Sequence, residues 1–477
     1  MASSNLKRDE QRKIKNNIYK LLVKFANTKL LKPIKPILVK IILKYDLFSI
    51  RSTKYETSSK TKNFKTILRY KDLVSDDFEP KNESDNIEIT DELVREIRSH
   101  IDIGPSVLAI AHDNFTEKIG GIQTVMNLEN RIIRRASGNY WSLNPVKSLS
   151  SFAFSPTLEL LHNGKLIGQV ETENISQLFK ILKLDSNGLN RPLHIVLHSL
   201  LGHDPGKISE AIKVTDIESV HFYLHDFYSI CPSIKLLRND SDFCSGPKIT
   251  STSCKVCIYK DIRADHVSKI NSIIQIPEVT LVAPSVSTHE IWKASSELAK
   301  NLIFAPHLQL TPVGSRATRN NSRPKIAFFG PPHKEKGWQA FLSLYELLQE
   351  SHEFFVFSSF DLHISGLTFR LLKNNLGEIN HTRDLLLENE IDYAFIYPYW
   401  PETYSLVTTE AISAGVFVLT HSNSGNVASL VAEYDSGAEF EDLESMVNFL
   451  KSDIHANLNL RVYDAEFIGI VEKLARV

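Results

Sequence analysis

The sequence predicts an α/β protein of two parallel-sheet domains facing a cleft, preceded by a basic helical extension. Two observations carry this. From about residue 105, short apolar runs alternate with helical patterns: Val107-Leu-Ala-Ile-Ala111, Leu193-His-Ile-Val-Leu197, Val220-His-Phe-Tyr-Leu224, Thr280-Leu-Val-Ala-Pro284 and Leu302-Ile-Phe-Ala305. Such runs are the signature of strands buried on both faces by crossover helices. After the polar stretch 311–324 the pattern restarts, with Lys325-Ile-Ala-Phe-Phe329, Phe354-Phe-Val-Phe357, Tyr393-Ala-Phe-Ile-Tyr397 and Val416-Phe-Val-Leu-Thr420. That stretch is the best domain boundary. It separates an N-terminal domain at 105–318 from a C-terminal domain at 319–477, with an extension and connector at 1–104. Ligands of such sheets bind beyond the carboxyl ends of the strands.

The extension is set apart by charge. The chain has 477 residues and a net charge of −1, yet residues 1–70 hold 18 Lys or Arg against 4 Asp or Glu. A basic arm on an acidic body points to an anionic partner, a membrane or a nucleic acid. Ile18–Phe25 and Ile37–Lys44 are apolar and helix-like, with Lys20 and Lys24, and Lys40 and Lys44, each one turn apart. Two readings stay open: paired amphipathic helices on an anionic bilayer, or a helical decoration packed on the body. Residues 51–104 read as a connector, since Ser75–Asp85 is polar and acidic. No apolar run approaches the roughly 20 residues of a membrane span. The first 20 residues lack the apolar core of a signal peptide. The expected location is therefore cytoplasmic, with the arm at the inner face of the membrane.

The most informative stretch is Tyr397-Pro-Tyr-Trp-Pro-Glu-Thr-Tyr-Ser-Leu-Val-Thr-Thr-Glu-Ala-Ile-Ser-Ala-Gly415. It follows an apolar strand and leads into a helix ending at Gly415. Glu402 should sit in the loop at the strand's carboxyl end, and Glu410, eight residues on, on the following helix. Ser405 and Leu406 would present backbone N–H groups at the helix start, where the dipole favours phosphate.

Here the sequence resembles the retaining GT-B-type glycosyltransferases of family 4, over most of residues 105–477. The resemblance implies two Rossmann-like domains and a nucleotide-diphosphate sugar as donor. It assigns Glu402 to the donor sugar and Glu410 to the ribose hydroxyls. Gly120-Gly121, after the first strand, is similar to the family's N-terminal glycine loop. Phe329-Gly-Pro-Pro-His-Lys-Glu-Lys-Gly337 resembles the loop in which a Lys, here Lys336, binds donor phosphate. The family usually has an Arg directly after the first glycine, where this chain has Pro331; Lys334 or His333 could replace that contact. Gly425 belongs to a stretch similar to the later glycine loop facing the sugar. His225, which follows Val220–Leu224, matches the active-site His that contacts the donor sugar. His198, and His112 with Asp113, are weaker candidates for lining the acceptor side.

Two further patterns remain. Cys231, Cys244, Cys254 and Cys257 are the chain's four cysteines, all within one segment. The Cys-x2-Cys end has metal-ligand spacing, so the cluster is either structural zinc or four reduced thiols in an insertion. Asp240-Ser-Asp242 is a D-x-D, but it lies in a polar loop with no preceding strand, so metal-independent transfer is expected and no cofactor is required for catalysis.

The expected function is retaining transfer of a sugar to a glycan or lipid-linked acceptor, in cell-envelope polysaccharide synthesis, with no nucleic acid as partner. The alternatives are a catalytically silent sugar-nucleotide-binding or scaffold subunit, or a GT-B-fold epimerase or phosphorylase.

Overall fold

The computed structural model describes residues 89–477 apart from 102–103, 148–152, 297, 299–300, 318–322, 360–363, 373–379, 453–458 and 476–477. The basic arm and the acidic stretch Ser75–Asp85 therefore lie outside the described residues.

The first sheet is laid down by β1 (Ser106–Ile110), β2 (Asn139–Pro145), β3 (Thr157–His162), β4 (Lys165–Glu171), β5 (Leu193–Leu197) and β6 (Ser219–Tyr223). After a small hairpin of β7 (Leu237–Arg238) and β8 (Asp242–Phe243), it is completed by β9 (Val279–Ala283) and β10 (Leu302–Phe304). The order is β10-β9-β6-β5-β1-β2-β3-β4. All neighbours are parallel from β10 to β2, and β3 and β4 add an antiparallel edge. The unbroken apolar runs have a direct cause: every residue of β1 and β5 is buried. Val107 and Ala109 pack with Met126 and Ile133 on one face, while Leu108 and Ile110 join Leu178, Ile208 and Ile270 on the other.

The chain then runs through β11 (Leu308–Ala317) into the second sheet. This consists of β12 (Lys325–Phe329), β13 (Glu353–Ser358), β14 (Leu367–Leu371), β15 (Tyr393–Phe395), β16 (Phe417–Thr420) and β17 (Gly437–Glu439). Its order, β14-β13-β12-β15-β16-β17, is parallel throughout. Ranked by sequence this is 3-2-1-4-5-6, the doubly wound Rossmann order. The expected α/β class with two Rossmann-like sheets is what the chain forms. The strand order reverses between β1 and β5 in one sheet and between β12 and β15 in the other, so each has a switch point at which carboxyl-end loops diverge.

Three features differ from the sequence reading. The polar stretch taken as a boundary begins as a strand: β11 pairs antiparallel with β18 (Asn459–Phe467), with an irregularity at Pro312/Gly314. Pro and Gly at a bulge break the apolar rhythm that marks other strands. The terminal helix Val471–Ala475 packs on the first sheet, where Ile470, Val471 and Leu474 meet the Val107 and Ala109 face. The backbone N–H of Ile470 donates to the Tyr223 hydroxyl at 3.2 Å. Lastly, Asp91–Ser99, inside the presumed connector, is a helix. Thr90 caps it by accepting from the Leu93 N–H, and Ile89 and Ile97 are buried in the first-domain core. The Thr-Asp-Glu start is an N-terminal signal that polar composition obscured. Among the described residues no helix is long and apolar enough to cross a membrane.

Candidate functional site

The loops at the carboxyl ends of the two sheets meet. From the second domain comes Pro401–Ser405, which links β15 to the helix Leu406–Ser413. Ser405 caps that helix: its Oγ accepts from the Thr408 N–H. Gly415, left-handed at φ 61°, lies just past its end. The Glu402 N–H donates to the Ser424 carbonyl at 3.1 Å, and the Asn426 N–H donates to the Glu402 carbonyl at 2.9 Å. Gly425 sits between these bonds at φ 69°, and a Cβ there would stand 2.7 Å from both the Glu402 carbonyl oxygen and Pro401 Cα. The glycine therefore serves the docking of two loops. Asn426 Oδ1 in turn accepts from the Ser405 N–H at 3.0 Å.

Lys336 is brought to this loop. It closes a short 3-10 turn, Lys334–Lys336, whose following Gly337 has φ 83°. A Cβ on Gly337 would be 2.2 Å from the Tyr397 carbonyl oxygen, so only glycine lets the turn lie against the end of β15. Lys336 Nζ then reaches Glu402 Oε1 at 2.7 Å. Glu402 is 8% exposed, and the lysine stands at the more open side of the pair. At the position after Gly330, Pro331 supplies only a backbone acceptor, taken by the His333 N–H.

From the first domain comes His225, just beyond β6. The Thr403 hydroxyl donates to the His225 carbonyl, and Thr288 Oγ1 donates to the Thr403 carbonyl at 3.0 Å. Trp400 is buried in the first-domain core, edge-on to Phe227. Gly121 also faces across: a Cβ there would touch Leu406 Cδ1 at 3.9 Å. His225, Gly121, Leu406, Ser405, Glu402, Lys336 and Gly425 thus lie on adjoining loops, turns and helix starts.

The rings of His225, Tyr223 and His307 form a triangle: His225 is 5.0 Å from each of the others, and Tyr223 and His307 are 5.1 Å apart. Burial first, then His307, His198 and His112, hold His225 well below the ordinary histidine range. Burial pushes His307 down to about 3. His198, placed by sequence toward an acceptor, is instead enclosed, 1% exposed. Its Nδ1 meets His225 Nε2 at 2.9 Å, and its Nε2 meets Glu129 Oε2 at 2.9 Å. Just past β1, His112 Nε2 stands 3.4 Å from Asp113 Oδ2, and burial lowers the His112 pKa from its ordinary value.

Glu410 lies within the helix Leu406–Ser413, as expected, and is buried to the same degree as Glu402. Its Oε1 accepts from the Thr382 N–H at 3.2 Å, at the start of the helix His381–Glu388.

The four cysteines line one small cavity with Arg263, and none forms a disulfide. Burial pushes the Cys231 thiol up to about 12. Arg263 Nη1 donates to Cys254 Sγ at 2.6 Å and to the Pro247 carbonyl at 2.7 Å. Among the described residues, no three His, Cys, Asp or Glu side chains converge to hold a metal ion as they stand. Asp240 of the D-x-D lies in the β7–β8 turn and accepts from the Tyr259 hydroxyl.

Sequence reasoning missed Glu129 and His307, and gave no role to Thr403. Glu129 left one signal: it lies between Val125 and Ile133 on a single i, i+4 row of a buried helix face.

No family model matches the chain, and no curated protein does. Among solved structures it is similar to a sucrose-phosphate synthase from Thermosynechococcus elongatus, with TM-score 0.49 and 10% identity over 78% of this chain and 93% of that one. It is also similar to HepE from Anabaena in complex with UDP and glucose, with TM-score 0.44 and 11% identity over 72% and 89%. A third is WaaG, described as a glycosyltransferase involved in lipopolysaccharide biosynthesis, with TM-score 0.39 and 12% identity over 78% and 94%. At such identities an activity has to be read from this chain's own residues.

Glu410 generates a pH prediction. Burial, opposed by the Thr382 hydrogen bonds, raises its carboxyl from the ordinary 4.5 to about 8. Between those values the unfolded chain has released a proton that the folded protein keeps, so raising pH favours unfolding, by at most about 1.4 kcal/mol per pH unit. Thermal unfolding from pH 5 to 8 should therefore show wild type losing stability relative to Glu410→Gln. A difference that does not change with pH would contradict the neutral, buried carboxyl.

Proposed function

We propose that the chain is a retaining glycosyltransferase that moves a sugar from a nucleotide-diphosphate sugar to a glycan or lipid-linked acceptor. The observation that carries this reading is the Lys336–Glu402 pair, 2.7 Å apart, on a loop in contact with His225 of the other domain. A lysine already paired with a carboxylate can exchange that partner for a diphosphate. The exchange frees Glu402 for a sugar hydroxyl and leaves Lys336 on the departing phosphate, where stabilising developing charge lowers the barrier. Ser405 and Leu406, at the start of the next helix, extend the same positive end. Retention is the stereochemistry that the resemblance implies, and independence of divalent metal is the expectation from a D-x-D that lies in a polar loop with no preceding strand.

Transfer and hydrolysis with a panel of nucleotide sugars test this. Glu402→Ala and Lys336→Ala should each reduce transfer by roughly 100-fold or more, the scale of losing one preorganised charge-stabilising group, with folding retained. Glu410→Ala should weaken donor binding. Near-wild-type turnover in all three would end the reading. Donor binding without transfer would favour the silent scaffold subunit, for which Pro331 is the motivating departure.

Structural zinc at Cys231, Cys244, Cys254 and Cys257 is a separate proposal, supported by their shared cavity. Binding would require Cys254 to leave Arg263 and the sulfurs to draw together. Metal analysis of protein purified without added zinc should find about one equivalent, as a closed four-thiolate site holds. Less than about a tenth of that rules it out.

We also place the protein at the cytoplasmic membrane surface through residues 1–70, in envelope polysaccharide synthesis. The support is the charge of that segment, 18 basic against 4 acidic residues, at about 1 kcal/mol per basic residue near an anionic surface. Binding to anionic vesicles should fade with salt and vanish on deleting 1–70, while transfer to a soluble acceptor survives. Equal binding to neutral vesicles would contradict it.

A further inference from the structure

Behind His225 runs a buried polar row that the function proposed above does not use. Glu129 lies on the helix Gly121–Arg135 and is fully buried, at 0% exposure. The Tyr140 hydroxyl donates to its Oε2 at 2.9 Å, and His198 Nε2 meets the same oxygen at 2.9 Å. On its other side His198 Nδ1 meets His225 Nε2 at 2.9 Å. Four elements supply the row: the helix after β1, strand β2, the end of β5, and the end of β6. Buried polar side chains at this depth are retained where each has a partner, since a lone one costs several kcal/mol.

The order of donors and acceptors along the row is constrained. Glu129 Oε2 is the acceptor of the Tyr140 hydroxyl, so it is an acceptor toward His198 as well, and His198 must carry its proton on Nε2. A neutral imidazole with Nε2–H has its lone pair on Nδ1. His225 must then donate from Nε2 into that lone pair, leaving its own Nδ1 as an acceptor. His225 is neutral in this setting: it is buried against the adjoining rings of Tyr223 and His307, and its titratable neighbours are His307, His198 and His112. Among the described residues no polar group meets Nδ1, and the residue is partly open.

We propose that Glu129, acting through His198, is a positioning residue that fixes His225 as the neutral Nε2–H tautomer, so that Nδ1 accepts a hydrogen bond from a hydroxyl of the bound sugar. The second half of this statement rests on the glycosyltransferase reading; the first half does not. A carboxylate that orients a histidine and sets its tautomer acts through a ring it never leaves, and its loss typically reduces function by roughly 10–100-fold in comparable supporting shells.

The test uses the full chain with nitrogen-15 label in its histidines. The ring signals of His225 are assigned by their loss in His225→Gln. In the wild type at pH 7 the expected pattern is protonated Nε2 and bare Nδ1, a measurement that needs no substrate and no substitution in the row. Protonated Nδ1, or a doubly protonated ring, overturns the proposal. In Glu129→Gln, whose amide can donate as well as accept, the His225 signals should shift toward the other tautomer. Sugar transfer should fall about 10-fold or more while donor affinity stays within about threefold. Unchanged signals together with unchanged turnover also overturn it. A wild type that binds no nucleotide sugar, yet shows the expected tautomer, would defeat the glycosyltransferase reading and leave the positioning role of Glu129 standing.

Discussion

The structure depends on one short loop, Trp400–Ser405, being satisfied by both sheets at once. Trp400 gives its ring to the core of the first domain, although its own strand, β15, is central to the second sheet. Glu402 is tied by backbone bonds to Ser424 and Asn426, and Thr403 spans from His225 to Thr288. A segment with this many fixed groups cannot shift without freeing buried polar atoms, each of which costs about 1–3 kcal/mol when left unpaired. The loop therefore sets the distance between His225 and Glu402 more than any feature of either sheet alone.

The cysteine-containing insertion reinforces that junction. It begins just after His225, and Arg263 holds its ends by donating to the Ile230 and Pro247 carbonyls. Lys235 reaches Glu335 at 3.3 Å, and the Glu335 carbonyl accepts from the Tyr399 N–H at 3.0 Å. The insertion thus touches the Lys334–Lys336 turn directly, so whatever sets its conformation also bears on Lys336. Its place is beside the site rather than within it. The ribbon of β11 and β18 makes a second crossing between domains, and the helix Val471–Ala475 packs back on the first sheet.

Much of this was legible in the sequence. Strands such as Leu193–Leu197 and Lys325–Phe329 fall where unbroken apolar runs place them, because a strand covered on both faces has no polar alternation to confuse it. The Glu402 loop is legible because an apolar strand, a Pro-containing loop and a helix ending at Gly415 follow one another in the sequence, and Lys336 through the resemblance of its loop; the side-chain cap made by Ser405 is seen only in the structure. β11 was not legible, since Pro312 and Gly314 interrupt its rhythm and its partner β18 is distant in sequence. The Asp91–Ser99 helix was passed over because its exposed face is charged and only Ile97 is fully buried along it.

Local order, then, was determined by the sequence by itself: which runs are buried, where helices start, and which residues stand at strand ends. Only the tertiary structure decided which of those strand ends adjoin. That Lys336 meets Glu402, that Gly425 serves a loop contact, and that Glu129 stands behind His198 and His225 are long-range pairings, made by chain segments up to 69 residues apart, as Glu129 and His198 are. Residue type and periodicity report the environment of a position, but not the identity of its neighbour across the fold. That identity follows from how the two sheets twist, cross over and close on the same loop.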